Sequence, residues 1–430
     1  MRLPGRMAAA MEILADMEAR KRPASEALKG WALDHRFAGA GDRAAIGNLV
    51  YDALRKRASH AFRMGEDTPR ALILSVAVND WNQDVKSLNE DLSTDRFAPE
   101  SISEAEAARL SDDSAFSSAP DHVRADAPEW LAPSLERNFG TRWIEEGQGM
   151  THRPPLDMRA NTLRSSRERV ARSLARFSPQ PCAIAPDGLR IPAGPAAART
   201  ANVQVDEGYQ KGWFEIQDQG SQIVSLLAGA KPGEQILDLC AGAGGKTLAL
   251  AAAMGNSGQI FAYDSQRPRL APIHERLKRN GVRNVQVRNP DPGALDDLVG
   301  RMDRVIVDAP CTGTGTWRRR PDTKWKLTPA QLEARIADQI AVLDEAARFL
   351  RPGGELVYIT CSILPEENDD QVAAFLARHP DFEAVPLPEI WPQIFPAAPH
   401  PLSGDGKTLT LTPASTDTDG FFCARLRKNP

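Results

Sequence analysis

The sequence predicts an α/β protein whose carboxyl-terminal half forms a mostly parallel sheet with helices on both faces. From about residue 213, short apolar segments alternate with longer segments that carry apolar residues at helical spacing. An all-helical domain is predicted at the amino terminus, where apolar side chains recur every three or four positions. A small α+β module lies between the two. A ligand of such a sheet is expected at the carboxyl ends of its strands.

The elements of the sheet domain follow from short patterns. The predicted strands are QILDL at 235–239, QIFAY at 259–263, VQVR at 285–288, RVIVD at 304–308 and ELVYIT at 355–360. The predicted helices between them cover 246–254, 267–280 and 329–351. Upstream, LDMRANTLR at 156–164 predicts a strand, and the helical pattern SSRERVARSLARF follows it.

Four regions are predicted along the chain. They are a helical domain over 1–88, a flexible acidic linker over 89–122, a helix plus the α+β module over 123–212, and the sheet domain over 213–430. The linker is predicted because its residues are rich in Ser, Asp, Glu and Pro and poor in large apolar side chains.

Composition favours a globular protein in the cytoplasm, which we expect to act as a monomer. No run of roughly 18 uncharged apolar residues could span a membrane. The segment MRLPGRMAAAMEILADMEARKR predicts an amphipathic helix rather than a secretion signal. The five cysteines are scattered and form no CxxC pair, so free thiols are expected and no metal site is predicted.

The net charge of −4 does not exclude a nucleic-acid partner, because the charge is unevenly distributed. Acidic residues gather in 84–128, whereas WRRRPDTKWK at 317–326 and the run from Arg267 to Arg288 are basic. Binding of a phosphate group depends on the charge of the nearby protein surface rather than on the net charge of the whole chain.

The segment LDLCAGAGGKT at 237–247 is a buried strand followed by a glycine-rich turn and a helix. Three cofactor classes compete for such a turn. A phosphate-binding P-loop requires a glycine where Cys240 stands, and a dinucleotide fold prefers a third glycine where Thr247 stands. S-adenosylmethionine needs the same close backbone approach without a pyrophosphate. Asp264 ends the next strand, where a carboxylate can accept both ribose hydroxyls. A turn that only packs a helix on a strand remains an alternative.

Two cysteines lie at the ends of neighbouring predicted strands. RVIVDAPCTGTG carries Asp308 and Cys311, and ELVYITCSILPEEN carries Cys361. Both cysteines therefore fall on the edge of the sheet that carries the glycine turn. Cysteine is often only a packing residue, and Cys182, Cys240 and Cys423 are interpreted in that way.

With these segments the sequence resembles the RsmB/Nop/Sun family of RNA cytosine-5 methyltransferases. The resemblance covers roughly residues 125–430 and is carried by FEIQDQGSQ, LDLCAGAGGKT, DAPCTGTG, YITCSILPEEN and DGFFCARLRK. The cofactor turn departs from the usual CAAPGGKT of the family by reading CAGAGGKT. The pattern GDRAAIGNLVYDALRKR resembles, more loosely, the NusB-like RNA-binding domain of RsmB-type members.

The resemblance implies a Rossmann-like methyltransferase domain and assigns its residues. Cys361 is the nucleophile that attacks carbon 6 of cytosine, Cys311 assists release of the product, and Asp308 lies against the cytosine edge. Lys246 belongs to both the catalytic and the cofactor set. The full set expected to bind S-adenosylmethionine is Cys240, Ala241, Gly242, Ala243, Gly244, Gly245, Lys246, Asp264, Asp291 and Asp308.

RNA is the expected partner, and small-subunit (16S) ribosomal RNA is favoured because RsmB-type members act on it. Aromatic and cationic side chains are interleaved in WRRRPDTKWK, which suits single-stranded RNA. The expected contacts are Arg318, Arg319, Arg320 and Lys324. Transfer RNA is the main alternative substrate. A non-catalytic ribosome-assembly factor and a nicotinamide-dependent oxidoreductase are the alternatives from other classes, whereas DNA cytosine methylation is disfavoured.

Overall fold

The computed structural model describes residues 1–112, 114–399, 401 and 406–430. The chain forms two compact units of unequal size. The helical unit comprises Met1–Pro154, Ala193–Thr200 and Trp317–Lys326. The second unit comprises Pro155–Pro192, Ala201–Thr316 and Leu327–Pro430, and it is called the catalytic unit because the two cysteines predicted to be catalytic lie in it.

The helical unit is built around long amphipathic helices. In chain order its helices are α1 (Leu3–Ala19), α2 (Ala24–Asp34), α3 (Ala40–Arg55), α4 (Arg57–Met64), α5 (Pro69–Ser75), α6 (Val85–Thr94), α7 (Glu104–Leu110), α8 (Asp121–Arg124), α9 (Ala132–Phe139), α10 (Trp143–Gly149) and α17 (Pro321–Lys326). Apolar side chains of α1, α3 and α5 meet in one core, in which Ile13, Leu49 and Leu72 are buried. The amino-terminal domain is therefore helical as predicted, although the helical unit extends beyond the predicted bounds of 1–88.

The prediction of a flexible linker over 89–122 is wrong. Helix α6 covers the start of this stretch and α7 follows it, with a capping box between Ser103 and Glu106 at the start of α7. Leu92, Ile102 and Leu110 are buried in the core of the helical unit. The few apolar residues suffice because they point to one side, while the acidic residues face solvent or cap helices. Residues 123–154 also belong to this unit rather than to the α+β module.

The basic segment 317–326 packs into the helical unit. The Lys324 ammonium donates to the Arg55 carbonyl oxygen at 2.8 Å, and the Trp325 indole N–H donates to the Leu54 carbonyl oxygen at 2.6 Å. Arg318 and Lys324 are each 1% exposed. The prediction that these two side chains contact RNA is therefore wrong. The aromatic rings and the aliphatic parts of the long side chains in this segment pack into the core, which the charges of the segment did not indicate.

The other two predicted RNA contacts in that segment are more accessible. Arg319 is half-buried and Arg320 is exposed. An RNA-binding role for them stays a prediction.

The α+β module opens the catalytic unit with a small antiparallel sheet. Its strands are β1 (Leu156–Ala160), β2 (Gln180–Pro181), β3 (Gly188–Ile191) and β4 (Phe214–Ile216), and its helices are α11 (Arg167–Ser173) and α12 (Glu207–Gln210). The strand order is β2-β3-β1-β4, in which Met158 pairs with Leu189 on one side and Ile216 on the other.

The large sheet has the predicted Rossmann-like architecture. Its strands are β5 (Gln235–Asp238), β6 (Gln259–Tyr263), β7 (Val285–Arg288), β8 (Met302–Asp308), β9 (Leu350–Thr360), β10 (Phe382–Ala384), β11 (Thr408–Leu411) and β12 (Phe421–Lys428). Strands β7, β6, β5, β8 and β9 are parallel neighbours in that order, and β12 continues the sheet antiparallel to β9. The remaining helices are α13 (Gln219–Leu227), α14 (Gly245–Ala253), α15 (Arg267–Leu270), α16 (Ile273–Asn280), α18 (Pro329–Phe349), α19 (Asp369–Arg378), α20 (Trp391–Ile394) and α21 (Pro413–Thr416).

Both faces of the large sheet are buried, which explains why its strands read as continuous apolar runs. In β8, Val305 and Val307 belong to the core on one face, whereas Ile306 belongs to the core on the other. The alternation continues in β9, where Leu356 and Tyr358 lie on the first face. Within the described ranges, no helix combines the length and apolar character needed to cross a bilayer.

Glu355, near the start of the paired part of β9, provides a stability prediction. Its carboxylate accepts hydrogen bonds from Arg304 at 2.6 Å and from Arg425 at 3.0 Å. Burial alone would raise the pKa of Glu355, but the two guanidinium groups outweigh it and lower that pKa to about 2. We expect Glu355→Gln to reduce the free energy of unfolding by about 3 kcal/mol at pH 7, because buried Arg425 loses its carboxylate partner and buried Arg304 keeps only its longer contact with Glu234 at 3.2 Å. Urea denaturation measures this difference.

The sign of the pH dependence follows from the lowered pKa. Stability from Glu355 is present above the unfolded pKa of 4.5 and is lost as pH falls towards 2. The difference between Glu355→Gln and wild type should therefore shrink below pH 4.5. The control is Glu383→Gln, which changes an exposed glutamate on β10. An equal loss of stability in both variants would contradict the argument.

Candidate active site

The glycine turn between β5 and α14 adopts a backbone conformation that is unfavourable for residues with a Cβ atom. Gly242 has φ +49° and Gly244 has φ +83°. A Cβ atom on Gly244 would lie 2.5 Å from Cγ1 of Ile273, so only glycine fits there. A Cβ on Gly245 would meet nothing within 4 Å, and Ala241 and Ala243 are only half-buried. The turn therefore offers open backbone at the amino end of α14, which suits a ligand.

Asp264 follows β6 and is held against this turn. Its Oδ2 accepts a hydrogen bond from the Gly242 N–H at 3.0 Å, and its Oδ1 accepts one from the Gln266 N–H at 2.8 Å. The Ala241 N–H donates to the Tyr263 carbonyl oxygen at 2.8 Å, which ties the turn to the same strand end. Asp264 therefore lies beside the glycine turn, and its predicted role towards the ribose hydroxyls stays a prediction.

Lys246 and Asp308 form an ion pair at the end of β8. The Lys246 Nζ lies 2.7 Å from Oδ2 of Asp308 and 5.3 Å from the centre of the Phe421 ring. Lys246 is buried, whereas the side chain of Asp308 is 35% exposed. One oxygen of the carboxylate is therefore held by the ammonium while the group remains accessible to a ligand.

Cys311 and Cys361 meet although they are 50 positions apart in the chain. Their sulfur atoms are 3.4 Å apart. The pairing of β8 with β9 explains why the two residues meet. Asp308 aligns with Ile359, and the segments that follow the two strands leave the sheet at the same edge. The Gly315 N–H donates to the Cys361 carbonyl oxygen at 2.9 Å, which holds the two loops side by side.

The two thiols are not equivalent. The hydrogen bond with Cys361, together with burial, raises the pKa of the Cys311 thiol well above its usual value. Cys311 is therefore the thiol that keeps its proton. In the sulfur–sulfur contact it is suited to donate, and Cys361 is suited to accept.

Asp238, which ends β5, is buried and bonded to the helix after the turn. The Thr247 hydroxyl donates to its Oδ2 at 2.6 Å, and burial raises the pKa of this carboxyl to about 7. The contact fixes the start of α14 relative to the sheet. Cys240, the next predicted residue along the chain, lies in the turn, where burial raises the pKa of its thiol. An unreactive thiol fits the interpretation of Cys240 as a packing residue that contributes backbone.

Asp291 is the predicted site residue with the least structural support. Its carboxylate forms an exposed ion pair with Arg267 at 2.9 Å. The described contacts do not join it to the glycine turn or to Asp264. A role in binding the adenine side of the cofactor stays a prediction.

Sequence reasoning missed the buried residues that support the cysteine loops. Glu367 accepts hydrogen bonds from the Thr312 N–H at 2.8 Å and from the Gln339 amide at 3.0 Å. Phe421, beside Lys246, was missed as well. Glu367 and Phe421 stand inside the segments YITCSILPEEN and DGFFCARLRK, so the signal was present, but their roles depend on contacts that no linear pattern reveals.

Comparisons with known proteins point to one family of methyltransferases. The description "16S rRNA methyltransferase RsmB/F" belongs to a family model that matches residues 225–427, and a model of the ferredoxin-like domain of RsmF/B-like methyltransferases matches residues 127–196. The chain belongs to the RsmB/Nop/Sun family. The ferredoxin-like model covers α9 and α10 of the helical unit together with β1–β3 of the α+β module, and the other model covers most of the sheet domain.

Two relatives carry names that specify ribosomal RNA. The chain is 35% identical to the probable ribosomal RNA small subunit methyltransferase B of Synechocystis, over 70% of this chain and 66% of the relative. It is also 35% identical to ribosomal RNA small subunit methyltransferase B of Klebsiella pneumoniae, with the same coverage. The chain thus spans slightly less than two thirds of the length of these relatives. Among solved structures, the crystal structure of PH0851 matches with a TM-score of 0.74 and 25% identity, covering 100% of both chains.

S-adenosylmethionine is the cofactor of this family fold, and the residues present fit it. The open turn offers backbone to the methionine part, and Asp264 keeps carboxylate lone pairs in addition to its two backbone bonds. The residues that would hold the cofactor are Gly242, Gly244, Gly245, Lys246 and Asp264.

Proposed function

We propose that this protein methylates carbon 5 of a cytosine in RNA, with 16S ribosomal RNA as the favoured substrate. The observation that carries the proposal is the 3.4 Å contact between the Cys311 and Cys361 sulfur atoms beside the cofactor turn. Methyl transfer to oxygen or to an exocyclic amine requires no pair of thiols. Carbon 5 of cytosine does require a thiol, because the aromatic ring makes this carbon a poor nucleophile.

Cys361 is the proposed nucleophile. Its thiolate adds to carbon 6 of the cytosine, and the electron pair of the 5,6 double bond makes carbon 5 nucleophilic. The raised pKa of Cys311 fits this assignment, because a Cys311 thiol that keeps its proton is able to donate to the Cys361 sulfur. The target base has to leave any helix to reach both residues.

Asp308 is the proposed partner of the cytosine edge. Ring nitrogen 3 gains a proton from solvent as the thiolate adds and returns it to solvent when the product is released, and a carboxylate stabilises the ring while it is protonated. Lys246, 2.7 Å from Oδ2 of Asp308, holds that carboxylate in place. S-adenosylmethionine, when bound, supplies the electrophilic methyl group that carbon 5 accepts.

Release of the product is the proposed task of Cys311. The carbon 5 proton leaves, its electron pair restores the double bond, and the bond between carbon 6 and the Cys361 sulfur breaks. Cys311 is suited to pass the proton, because it can take the carbon 5 proton while giving its own to the departing sulfur 3.4 Å away. Both cysteines are thiols at the end of this relay.

Ribosomal RNA is favoured because both curated relatives are named for it. The helical unit is the proposed RNA-binding extension, in accordance with the NusB-like pattern of its sequence. Arg320 is an exposed cation on that unit and Arg319 a half-buried one, and both remain proposed RNA contacts.

The deciding experiment is transfer of labelled methyl from S-adenosylmethionine to RNA that lacks its own cytosine methylation. Free 16S ribosomal RNA, small ribosomal subunits and transfer RNA are offered separately to wild type and to Cys311→Ala. We expect 5-methylcytosine in ribosomal RNA with wild type. With Cys311→Ala we expect a covalent RNA–protein adduct that resists denaturant, because release is blocked.

Three other outcomes are informative. Methylation of transfer RNA alone would overturn the substrate. Methylated adenine or guanine would overturn the cytosine chemistry. RNA binding without any methyl transfer would favour a non-catalytic assembly factor.

A further inference from the structure

Two consecutive buried residues, Glu367 and Asn368, hold the neighbours of the two cysteines. Glu367 is 0% exposed and Asn368 is 1% exposed. Both follow Cys361 in the chain, at the end of a 3₁₀ turn over Pro365–Glu367. Neither touches a cysteine sulfur in the described hydrogen bonds, so a role has to act through other residues.

Glu367 holds the loop of Cys311 from both sides. Its carboxylate accepts hydrogen bonds from the N–H and from the hydroxyl of Thr312, the residue after Cys311. It also accepts a bond from the Gln339 side-chain amide, and the same amide nitrogen donates to the Pro310 carbonyl oxygen at 3.0 Å. The residues before and after Cys311 are thus both held by the pair of Glu367 and Gln339.

Asn368 holds the loop of Cys361 in the same manner. Its amide nitrogen donates to the Ser362 carbonyl oxygen at 2.9 Å, and its Oδ1 accepts a bond from the Thr360 hydroxyl at 2.6 Å. Thr360 and Ser362 are the residues on either side of Cys361. One dipeptide therefore holds the neighbours of both cysteines, each through a different side chain.

Glu367 is also an unusual group to bury. The hydrogen bonds to its carboxylate come from neutral donors on Thr312, Gln339 and Ser362. Burial raises its pKa, while the bonds from Ser362, Thr312 and Gln339 oppose that rise. Burial of a carboxyl costs free energy that its hydrogen bonds have to offset. The hydrogen bonds to the Glu367 carboxylate fix Thr312 and thereby the direction of the Cys311 side chain.

We propose that Glu367 and Asn368 are positioning residues that set the separation of the two sulfur atoms, Glu367 acting on Cys311 and Asn368 acting on Cys361. The inference rests on the proposed function, because it assigns the two residues to different steps of that reaction. Loss of Glu367 should impair release, and loss of Asn368 should impair attack.

The experiment measures two quantities on 16S ribosomal RNA for each variant, namely the rate of methyl transfer and the amount of denaturant-resistant adduct. We expect Glu367→Ala to slow turnover by about 10²-fold, the effect of misplacing a reacting group by about 1 Å, and to accumulate adduct as Cys311→Ala does. Glu367→Gln, which keeps an acceptor for the Thr312 N–H, should recover part of the rate. Asn368→Ala should slow turnover by a similar factor and accumulate no adduct.

Two further variants separate positioning from folding. Gln339→Leu removes the contact to Pro310 and an amide oxygen for which the described residues provide no hydrogen-bond partner. It should fold, and it should accumulate adduct to a lesser extent than Glu367→Ala. Glu333→Ala removes an exposed glutamate from the same helix as Gln339 and should behave as wild type.

Either of two results would overturn the inference. One is an equal loss of turnover and adduct in Glu367→Ala and Asn368→Ala, which a purely structural role predicts. The other is wild-type behaviour of Gln339→Leu and Glu367→Gln. Adduct in Cys311→Ala with none in Glu367→Ala would overturn only the role of Glu367. No adduct in Cys311→Ala would overturn the proposed release step itself.

Discussion

Replacing Cys361 by alanine is expected to lower the rate of methyl transfer to RNA by more than about 10³-fold, since the loss of a catalytic nucleophile costs at least that much. Alanine cannot add to carbon 6, so carbon 5 keeps its low nucleophilicity. The same variant should form no adduct with RNA. Incorporation of labelled methyl and gel analysis under denaturing conditions measure the two effects.

Cys423→Ala is the matched control for Cys361→Ala. Cys423 is a buried cysteine on β12 that pairs with Ile359, two residues before Cys361. Its loss should cost about 1 kcal/mol of stability and leave methyl transfer close to wild type. Retention of methyl transfer by Cys361→Ala would show that the nucleophile is misassigned. Loss of methyl transfer in both variants would point to an effect on folding rather than chemistry.

Gly244→Ala is expected to cost several kcal/mol and to weaken cofactor binding by more than about tenfold. The backbone conformation at φ +83° alone costs an alanine roughly 1–2 kcal/mol. The added Cβ would lie 2.5 Å from Cγ1 of Ile273, so the turn or α16 has to shift as well. Because the turn carries the backbone that approaches the cofactor, the shift should appear directly in the dissociation constant for S-adenosylmethionine, measured by calorimetry.

Gly255→Ala separates the strain from the clash. Gly255 has φ +60°, and a Cβ atom there would meet nothing within 4 Å. It should lose stability by the backbone term alone and bind the cofactor as wild type does. Equal affinity of the two variants for the cofactor would contradict the assigned role of the turn.

The sheet domain could be predicted because each of its strands and helices shows its pattern within a short stretch of sequence. The predicted strands over 235–239, 259–263 and 285–288 match the observed ones to within one residue. Strands buried on both faces must be apolar throughout, and a crossover connection, most often a helix, must follow each of them for the next strand to be parallel. The meeting of Cys311 and Cys361 followed from the same rule, because neighbouring parallel strands end at one edge.

The helical unit was harder to predict because its contacts join distant parts of the chain. Lys324 appeared to be a phosphate ligand, since nothing near it in sequence shows that Arg55 holds its ammonium. Leu92 and Leu110 appeared too sparse to form a core, although α1 and α5 supply the rest of it. Glu367 and Asn368 were overlooked for a similar reason. Glu367 bonds to Thr312 and Gln339 in other elements, and Asn368 bonds to Thr360 and Ser362 on either side of Cys361. Such buried hydrogen bonds leave no periodic pattern in the sequence.

The division of the chain at residues 317–326 limits how this protein can be cut or recombined. The chain leaves the catalytic unit after Thr316, contributes α17 to the helical unit, and returns at Leu327. A truncated chain that begins at residue 155 would therefore retain Trp317 and Arg318, both now buried, without the helices that cover them. An intact helical unit can be transplanted only as three pieces, which makes exchange of this unit between relatives by a single crossover improbable.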